Sequence, residues 1–205
     1  MGVTGPQRIG LFGGAFDPPH RAHVALARQA IGQLGLDCLR VTPTGQAWHK
    51  ARPLTDAAHR LAMARLAFEG ITGVVVDDRE MRRSGPSYTV DTLRELQAKE
   101  PGARLFLVMG ADQARAFDTW REAAEITRLA TICVADRPLD SPDEPGQPEP
   151  AYPIPGGRWE RLALPPTPLS ATGIRQRRAS GEAVTDLVPP AVGRYIDQHH
   201  LYLPA

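Results

Sequence analysis

The chain has 205 residues, of which 42% are hydrophobic and 23% are charged, as in an ordinary globular domain. The 24 lysines and arginines against 23 acidic residues give a formal net charge of +1. This balance argues against a general nucleic-acid binder or a polybasic membrane binder, because both need a large positive excess. No apolar run approaches the ~20 residues that cross a bilayer, and no signal peptide is visible.

The two cysteines, Cys38 and Cys133, each stand alone in an apolar run, which is typical of buried, reduced thiols. We therefore expect a cytoplasmic protein in which residues 1–205 form one domain. A chain of this length needs neither a disulfide nor a structural metal to fold.

Short runs rich in valine, isoleucine, leucine and phenylalanine alternate with segments of helical period. Most runs are continuously apolar, as expected of strands in a sheet that helices cover on both faces. The pattern predicts an α/β, doubly wound (Rossmann-like) fold with a mostly parallel sheet, right-handed crossovers and two C-terminal helices. Such folds bind ligands outside the carboxyl ends of their strands. The predicted strands are residues 8–12, 38–42, 74–77, 104–109, 130–135 and 159–164, and the C-terminal helices are residues 171–180 and 190–199.

Capping and stop signals mark the ends of the predicted helices. Gly35 and Gly70 are expected to end the first and second helices, and Thr119 with Glu122 has the pattern of a capping box. The second helix is predicted to have Thr55 as its N-cap and an apolar stripe of Ala57, Leu61, Ala64 and Phe68.

A proline-rich stretch interrupts the alternation of strands and helices. Ten of the 20 prolines lie between Arg137 and Leu169, and proline removes a backbone donor and fixes φ. We expect an irregular surface excursion at about residues 138–157. A tolerated insertion and a lid over the active site both fit this composition.

The segment after the first predicted strand reads GLFGGAFDPPHRAH over residues 10–23. Gly13 and Gly14 lack side chains, so backbone amides there can approach a phosphate closely. His20 and His23 stand three apart at a helix start, where anions are favoured and imidazoles can donate to phosphoryl oxygens. The glycine spacing fits neither the dinucleotide fingerprint nor a P-loop. A zinc site, which lacks an evident third ligand, and a purely structural histidine pair are the alternatives.

A second segment, LSATGIR over residues 169–175, has the chemistry of a pyrophosphate clamp. Ser170 is an N-cap candidate, Thr172 lies in the first turn, and Arg175 is on the same side. A helix N-terminus with hydroxyls and a guanidinium suits phosphate groups, whereas a capped helix with a solvated arginine is the alternative. The two segments resemble the H-x-G-H and I-S-S-T-x-I-R signatures of a nucleotidyltransferase superfamily.

Further blocks resemble those of nicotinate mononucleotide adenylyltransferases, in order along nearly the whole chain. Residues 79–80 with 85–93 resemble that family's E…S-Y-T-x-D-T-L block, residues 108–112 with Trp120 its G-A-D…W block, and residues 42–50 its P…H-K loop. Residues 187–202 resemble its ending. The chain departs from the pattern at Ala22, where the family usually has glycine, and at Ala15, where many members have threonine or serine.

The resemblance implies roles for specific residues. Trp120 can stack on a flat nicotinate ring, and backbone amides of Tyr88 and Thr89 suit its carboxylate, although Trp120 also fits a half-buried core position. The implied catalytic residues are His20, His23 and Arg175. The implied ATP-binding residues are Gly13, Gly14, Phe16, Gly110, Asp112, Arg137, Ser170 and Thr172. The implied mononucleotide-binding residues are His49, Lys50, Tyr88, Thr89 and Trp120.

The activity implied by the resemblance is transfer of AMP from ATP to nicotinate mononucleotide, which gives deamido-NAD and pyrophosphate in NAD biosynthesis. Mg²⁺ is expected to accompany ATP, and the expected partners are small molecules, with no nucleic acid and no membrane. No general base is needed, because a phosphate monoester is largely ionised near neutral pH. The same chemistry on another acceptor, such as nicotinamide mononucleotide, remains open, as does a non-catalytic nucleotide sensor on the same fold.

Overall fold

Within the described residues, six parallel strands form one sheet in the order β3-β2-β1-β4-β5-β6. The structure is a computed structural model and describes residues 5–45, 54–135, 152–156, 159–164 and 168–204. The predicted doubly wound parallel sheet is confirmed. The strands are β1 (Arg8–Gly14), β2 (Cys38–Pro43), β3 (Val74–Val76), β4 (Arg104–Gly110), β5 (Ala130–Ala135) and β6 (Glu160–Leu162).

Helices connect the strands and follow the last one. They are α1 (Arg21–Leu34), α2 (Ala57–Phe68), α3 (Thr89–Lys99), α4 (Ala111–Arg115), α5 (Ala123–Leu129), α6 (Ala171–Ala179) and α7 (Pro190–Gln198), with a 3₁₀ turn at Phe117–Thr119. None of the helices in the described ranges has the length and apolar character that crossing a membrane requires.

The continuous apolar runs of the central strands are explained by burial on both sheet faces. On β4, Phe106 and Val108 belong to one hydrophobic cluster, while Leu105 and Leu107 belong to a second on the opposite face. Because successive side chains of a strand alternate between faces, burial of both removes the polar–apolar alternation.

The strand order reverses between β1 and β4, which creates the crevice where such sheets bind ligands. Both strands run in the same direction, with Leu11 of β1 opposite Leu107 of β4. The segments after Gly14 and Gly110, the last residues of these strands, therefore flank the crevice.

The helix-end predictions are partly confirmed. Gly35 ends α1 in the left-handed conformation with φ 55°, and Gly70, with φ 71°, follows the end of α2. The N-cap of α2 is Asp56 rather than Thr55, because the Asp56 carboxylate accepts from the Ala58 amide at 2.7 Å. The backbone amide of Thr55 instead donates to the Asp17 carboxylate at 3.3 Å.

The predicted capping box at residues 119–122 is wrong. The Thr119 hydroxyl donates back to the Ala116 carbonyl at 2.6 Å, and Glu122 precedes α5 in the left-handed conformation with φ 54°. The Glu122 carboxylate accepts from Arg94 of α3 at 2.5 Å, so a tertiary ion pair takes the side chain that local capping would use.

The apolar stripe predicted for α2 is also partly wrong. Ala64 and Phe68 are buried, but Ala57 is exposed and Leu61 is only half-buried. The helix is turned so that the buried face consists of Arg60, Met63, Ala64, Ala67 and Phe68.

Only the end of the predicted excursion, residues 152–156, lies within the described part of the chain among residues 138–157. Those residues have no helix or strand. Tyr152 and Ile154 are buried, and the Tyr152 ring meets Trp159 edge-on at 5.0 Å. Two side chains of this end therefore pack on the core, while Pro153 and Gly156 are exposed.

Candidate active site

The loop after β1 places two imidazoles at the start of α1, as the sequence predicts. His20 is the N-cap residue of α1 and is buried, and His23 lies three residues later and is half-buried. Their rings stack with centroids 3.7 Å apart and an interplanar angle of 23°. The start of α1, which is the positive end of the helix dipole, lies beside both rings.

A backbone hydrogen bond sets the tautomer of His23. The amide N–H of His20 donates to Nδ1 of His23 at 3.1 Å, so Nδ1 is an acceptor and the neutral ring carries its proton on Nε2. That Nε2–H group can donate to a phosphoryl oxygen.

Aromatic packing supports the loop from the core side. Phe16 has φ 47° and is 1% exposed, and its ring meets Phe12 at 5.5 Å and Phe68 at 5.7 Å, both edge-on. The His23 ring packs against Phe16 at 5.1 Å. The Phe16 ring is thus part of the core beneath the imidazoles, and a contact of this residue with ATP stays a prediction.

The second predicted segment opens α6. The Ser170 hydroxyl oxygen accepts from the Gly173 amide at 3.1 Å, which makes Ser170 the N-cap. Arg175 donates from Nη2 to the Thr172 hydroxyl at 3.0 Å. The hydroxyls and the guanidinium therefore lie together at one helix end.

Tertiary structure joins these two segments through Asp17 and Arg175, which are 158 residues apart. Nη1 of Arg175 donates to the backbone carbonyl of Asp17 at 2.7 Å, and Asp17 lies three residues before His20. The α6 cluster therefore reaches the same loop as the two imidazoles.

The side chain of Asp17 anchors this loop to the end of the chain. Asp17 is 1% exposed, and its carboxylate accepts from the Tyr202 hydroxyl at 2.7 Å and from the Thr55 amide at 3.3 Å. Burial, reinforced by the nearby Asp17 charge, raises the pKa of Tyr202 well above its ordinary value. The phenol thus stays a hydrogen-bond donor.

At the end of β4, the predicted ribose-binding position is exposed. Gly110 is the last residue of β4 and the N-cap of α4. Asp112 follows in the first turn of α4, and its carboxylate accepts from Arg115 at 3.2 Å. A solvent-exposed carboxylate beside the β1–β4 crevice can accept ribose hydroxyls.

Trp120 and Tyr88, both predicted to bind the mononucleotide, lie on neighbouring segments. Trp120 is half-buried and tilts against Phe117 with centroids 5.3 Å apart. Tyr88 is the residue before α3, and the guanidinium of Arg121 lies 4.6 Å from its ring centroid. The N-terminus of α3 and the Trp120 segment therefore adjoin.

Buried polar groups hold the loop that leads to α3. The Glu80 carboxylate accepts from the Thr92 hydroxyl at 2.9 Å, and the Ser87 hydroxyl donates to the Glu80 carbonyl at 3.0 Å. Burial raises the pKa of Glu80, and the Thr92 hydrogen bond and the Arg83 charge only partly oppose the shift. This network fixes the turn that precedes Tyr88.

Three predicted site residues, His49, Lys50 and Arg137, lie outside the described residues. In the described part of the chain, no cluster of three or more histidine, cysteine or acidic side chains could hold a metal ion. Reasoning from sequence missed the anchoring roles of Asp17 and Tyr202. A charged residue between Phe16 and a Pro-Pro turn was the one local signal that could have pointed to them.

Comparisons with known proteins agree with this geometry. A family model described as cytidylyltransferase-like matches residues 11–177. The chain is 52% identical over 199 residues to a probable nicotinate-nucleotide adenylyltransferase of Albidiferax ferrireducens, which covers 97% of this chain and 100% of that protein. It is 45% identical over 208 residues to the protein of the same name from Methylibium petroleiphilum, covering 100% and 96% of the two chains.

A solved structure supports the fold. The chain matches nicotinic acid mononucleotide adenylyltransferase of Plasmodium falciparum, complexed with APC, with a TM-score of 0.75 and 18% identity over 96% of this chain and 97% of that one. With the sequence relatives above, these matches confirm the family that the motifs predicted. The chain belongs to the nicotinate-nucleotide adenylyltransferase family of cytidylyltransferase-like nucleotidyltransferases.

Proposed function

We propose that this chain transfers AMP from ATP to nicotinate mononucleotide and releases pyrophosphate and deamido-NAD. The observation that carries the proposal is the 2.7 Å hydrogen bond from Arg175 to Asp17, which brings the α6 cluster to the His20–His23 loop. Both family motifs therefore serve one site beside the β1–β4 crevice. The relatives named nicotinate-nucleotide adenylyltransferase support the choice of acceptor.

The reaction needs alignment and charge stabilisation more than proton transfer. The 5′-phosphate of the mononucleotide attacks the α-phosphorus of ATP in line, and the bond to the pyrophosphate oxygen breaks. The Nε2–H of His23 donates to an α-phosphate oxygen, and the N-terminus of α1 adds its positive dipole end. Arg175 and the hydroxyls of Ser170 and Thr172 hold the departing pyrophosphate.

Binding of the mononucleotide is assigned to the side of the crevice formed by α3 and Trp120. The indole stacks on the nicotinate ring, and the amides of Tyr88 and Thr89 at the start of α3 donate to the ring carboxylate. Gly13, Gly14, Gly110 and Asp112 line the nucleotide side. His49 and Lys50 are assigned to the mononucleotide and Arg137 to ATP, as the family resemblance implies.

Mg²⁺ is proposed to bind together with ATP. Magnesium prefers oxygen ligands and commonly binds through substrate phosphates with few protein carboxylates. The Asp17 carboxylate is bonded to Tyr202 and Thr55, and that of Asp112 is paired with Arg115. The donor set thus fits an ion held mainly by phosphate oxygens and water, which would neutralise charge on the leaving group.

We further propose that residues 1–205 act as one nucleotidyltransferase domain in the cytoplasm. The parallel sheet draws strands from residues 8 to 162, and α7 together with Tyr202 packs back on the first half of the chain. Both cysteines are free thiols, and burial raises the pKa of Cys133 to about 12. An inert thiol suits a reducing compartment.

The direct test is pyrophosphate release from ATP with nicotinate mononucleotide or nicotinamide mononucleotide as acceptor. We expect turnover with the acid and a clearly lower kcat/KM with the amide. A nucleotide sensor would bind ATP and release no pyrophosphate with either acceptor. Turnover with the amide alone would move the assignment to the other acceptor.

His23→Asn tests the imidazole without removing the local hydrogen bond. The asparagine carbonyl can still accept from the His20 amide, but nothing replaces the Nε2–H donor. We expect kcat to fall about 10²- to 10³-fold. His200→Asn is the matched control, because His200 is exposed and has φ 49°, a conformation asparagine tolerates. Equal activity of the two variants would exclude His23 from the reaction.

Trp120→Ala tests the stacking assignment. We expect the KM for the mononucleotide to rise far more than the KM for ATP, since only one substrate meets the indole. Trp120→Phe retains an aromatic face and should keep most of the affinity. Equal effects on both substrates would contradict the assignment.

A further inference from the structure

The guanidinium of Arg60 in α2 ties together the loops at the carboxyl edge of the sheet. Arg60 is 2% exposed, and all its described hydrogen bonds go to backbone carbonyls. Nε donates to Thr55 at 2.9 Å, Nη1 to Thr44 at 2.7 Å and to Ala15 at 3.1 Å, and Nη2 to Gly45 at 3.0 Å. These carbonyls belong to the loop after β1, the end of β2 and the approach to α2.

Burial of a charged guanidinium costs free energy, and an apolar residue of similar volume could fill the same space without that cost. Burial lowers the pKa of Arg60, and the nearby charge of Asp17 opposes the shift. Replacement of buried ionic groups by apolar residues of similar volume is often neutral or stabilising. The guanidinium supplies something else, a rigid planar fork of donors that holds several acceptors at fixed separations.

The carbonyls that Arg60 holds lie close to the groups proposed to carry the reaction. Ala15 precedes His20 by five residues, and the carbonyl of Asp17, between them, accepts from Arg175. The Thr44 amide donates to the Gly14 carbonyl at 2.9 Å, so the ends of β1 and β2 are also joined directly. A shift of the loop after β1 relative to β2 therefore moves the two imidazoles together with the guanidinium of Arg175, which is bonded to Asp17.

We propose that Arg60 is a positioning residue for nucleotidyl transfer, which fixes the loop after β1 against the end of β2 and thereby the alignment of the two substrates. The inference rests on the proposed function. Misplacement of reacting groups by about 1 Å can lower a rate ~10²-fold. Substrate affinity, which is spread over many contacts, changes less. Loss of the Arg60 guanidinium should therefore lower kcat more than it changes KM.

The test compares Arg60→Lys and Arg60→Gln with wild type. Lysine keeps the charge, but its donors lie on one nitrogen and cannot span the four carbonyls, and glutamine keeps two donors without burying a charge. We expect kcat per folded molecule to fall about 10- to 100-fold in both variants, with KM for ATP and for nicotinate mononucleotide each within about threefold. Folded protein is quantified by near-UV circular dichroism and denaturant unfolding.

Arg65 on the same helix provides the control. Its side chain is 62% exposed and pairs with Asp78 at 3.7 Å, so Arg65→Lys and Arg65→Gln should leave kcat and KM unchanged. If the lysine variant at position 60 does not fold, the glutamine variant alone decides the comparison.

Two outcomes would overturn the inference. One is a variant at position 60 with a lower unfolding midpoint but normal kcat per folded molecule, which is the behaviour of a merely structural residue. The other is a large rise in KM with kcat unchanged. Absence of pyrophosphate release by wild type with both substrates is a separate result, and it would reject the proposed function before any variant is compared.

Discussion

Gly45, just after β2, lies against the backbone of Glu80 in the loop that leads to α3. A Cβ atom placed there would lie well inside 3.0 Å of the Glu80 carbonyl oxygen, a separation that real Cβ atoms essentially never show, and 3.1 Å from the Glu80 carbonyl carbon. The obstacle is backbone, which cannot rotate away like a side chain. Gly45→Ala therefore forces the two loops apart.

The size of the effect follows from this geometry. The loops must separate by roughly 1 Å to reach ordinary van der Waals contact, and overpacking of this kind costs about 1–3 kcal/mol. For a domain of this size, the corresponding fall in Tm is roughly 2–12 °C. The Gly45 carbonyl also accepts from Arg60, so we expect kcat to fall as well.

Thermal unfolding and the pyrophosphate-release assay measure these two effects. Gly32→Ala is the matched control, because Gly32 lies in α1 and a methyl group there would meet no atom within 4 Å beyond the backbone of its own helix. Its replacement should stabilise the helix by about 0.5–1 kcal/mol. An unchanged Tm and unchanged kcat in Gly45→Ala would refute the claim that these loops are in contact.

Three further predictions concern single side chains. Because the folded-state pKa of Glu80 is raised above its ordinary 4.5, its stabilising contribution is full below pH 4.5 and is lost as pH rises through the folded-state value. Glu80→Gln should make the free energy of unfolding depend less on pH, which urea unfolding between pH 4 and 8 measures. The same pH dependence in the variant and in wild type would contradict the prediction. Ser170→Ala should cost about 1 kcal/mol through loss of the N-cap, and urea midpoints equal to wild type would argue against capping. Tyr202→Phe removes a donor to the buried Asp17 carboxylate and should cost about 1–3 kcal/mol; an unaltered Tm would show that this hydrogen bond contributes nothing.

The fold could be predicted from the sequence because its main signals are local. Continuous apolar runs indicated two-sided burial, and all six predicted strands differ from the observed bounds by no more than two residues at either end. Gly35 acted as a helix stop because a glycine at that position adopts the left-handed conformation without strain. Thr119 and Glu122 show the limit, since the Arg94 ion pair overrode a plausible local cap.

The apolar pattern of α2 could not reveal its buried face. Hydrophobic periodicity assigns a charged residue to the solvent side, yet Arg60 is among the most buried side chains of the described chain. Its burial depends on carbonyls of the loop after β1 and of the segment between β2 and α2, and no short window of sequence contains both. The same reason hides Gly45, whose close contact with Glu80 spans 35 positions.

The motifs by themselves determined the family and the residues able to bind phosphate, because imidazoles, hydroxyls and a guanidinium at helix starts have that chemistry in any fold. The tertiary structure alone decided that the two phosphate-binding segments meet, through the hydrogen bond of Arg175 to Asp17. It also decided which charges are buried. Parallel strands bring their carboxyl ends to one edge, and there the free energy of each polar group depends on distant carbonyls and carboxylates, which local sequence does not specify.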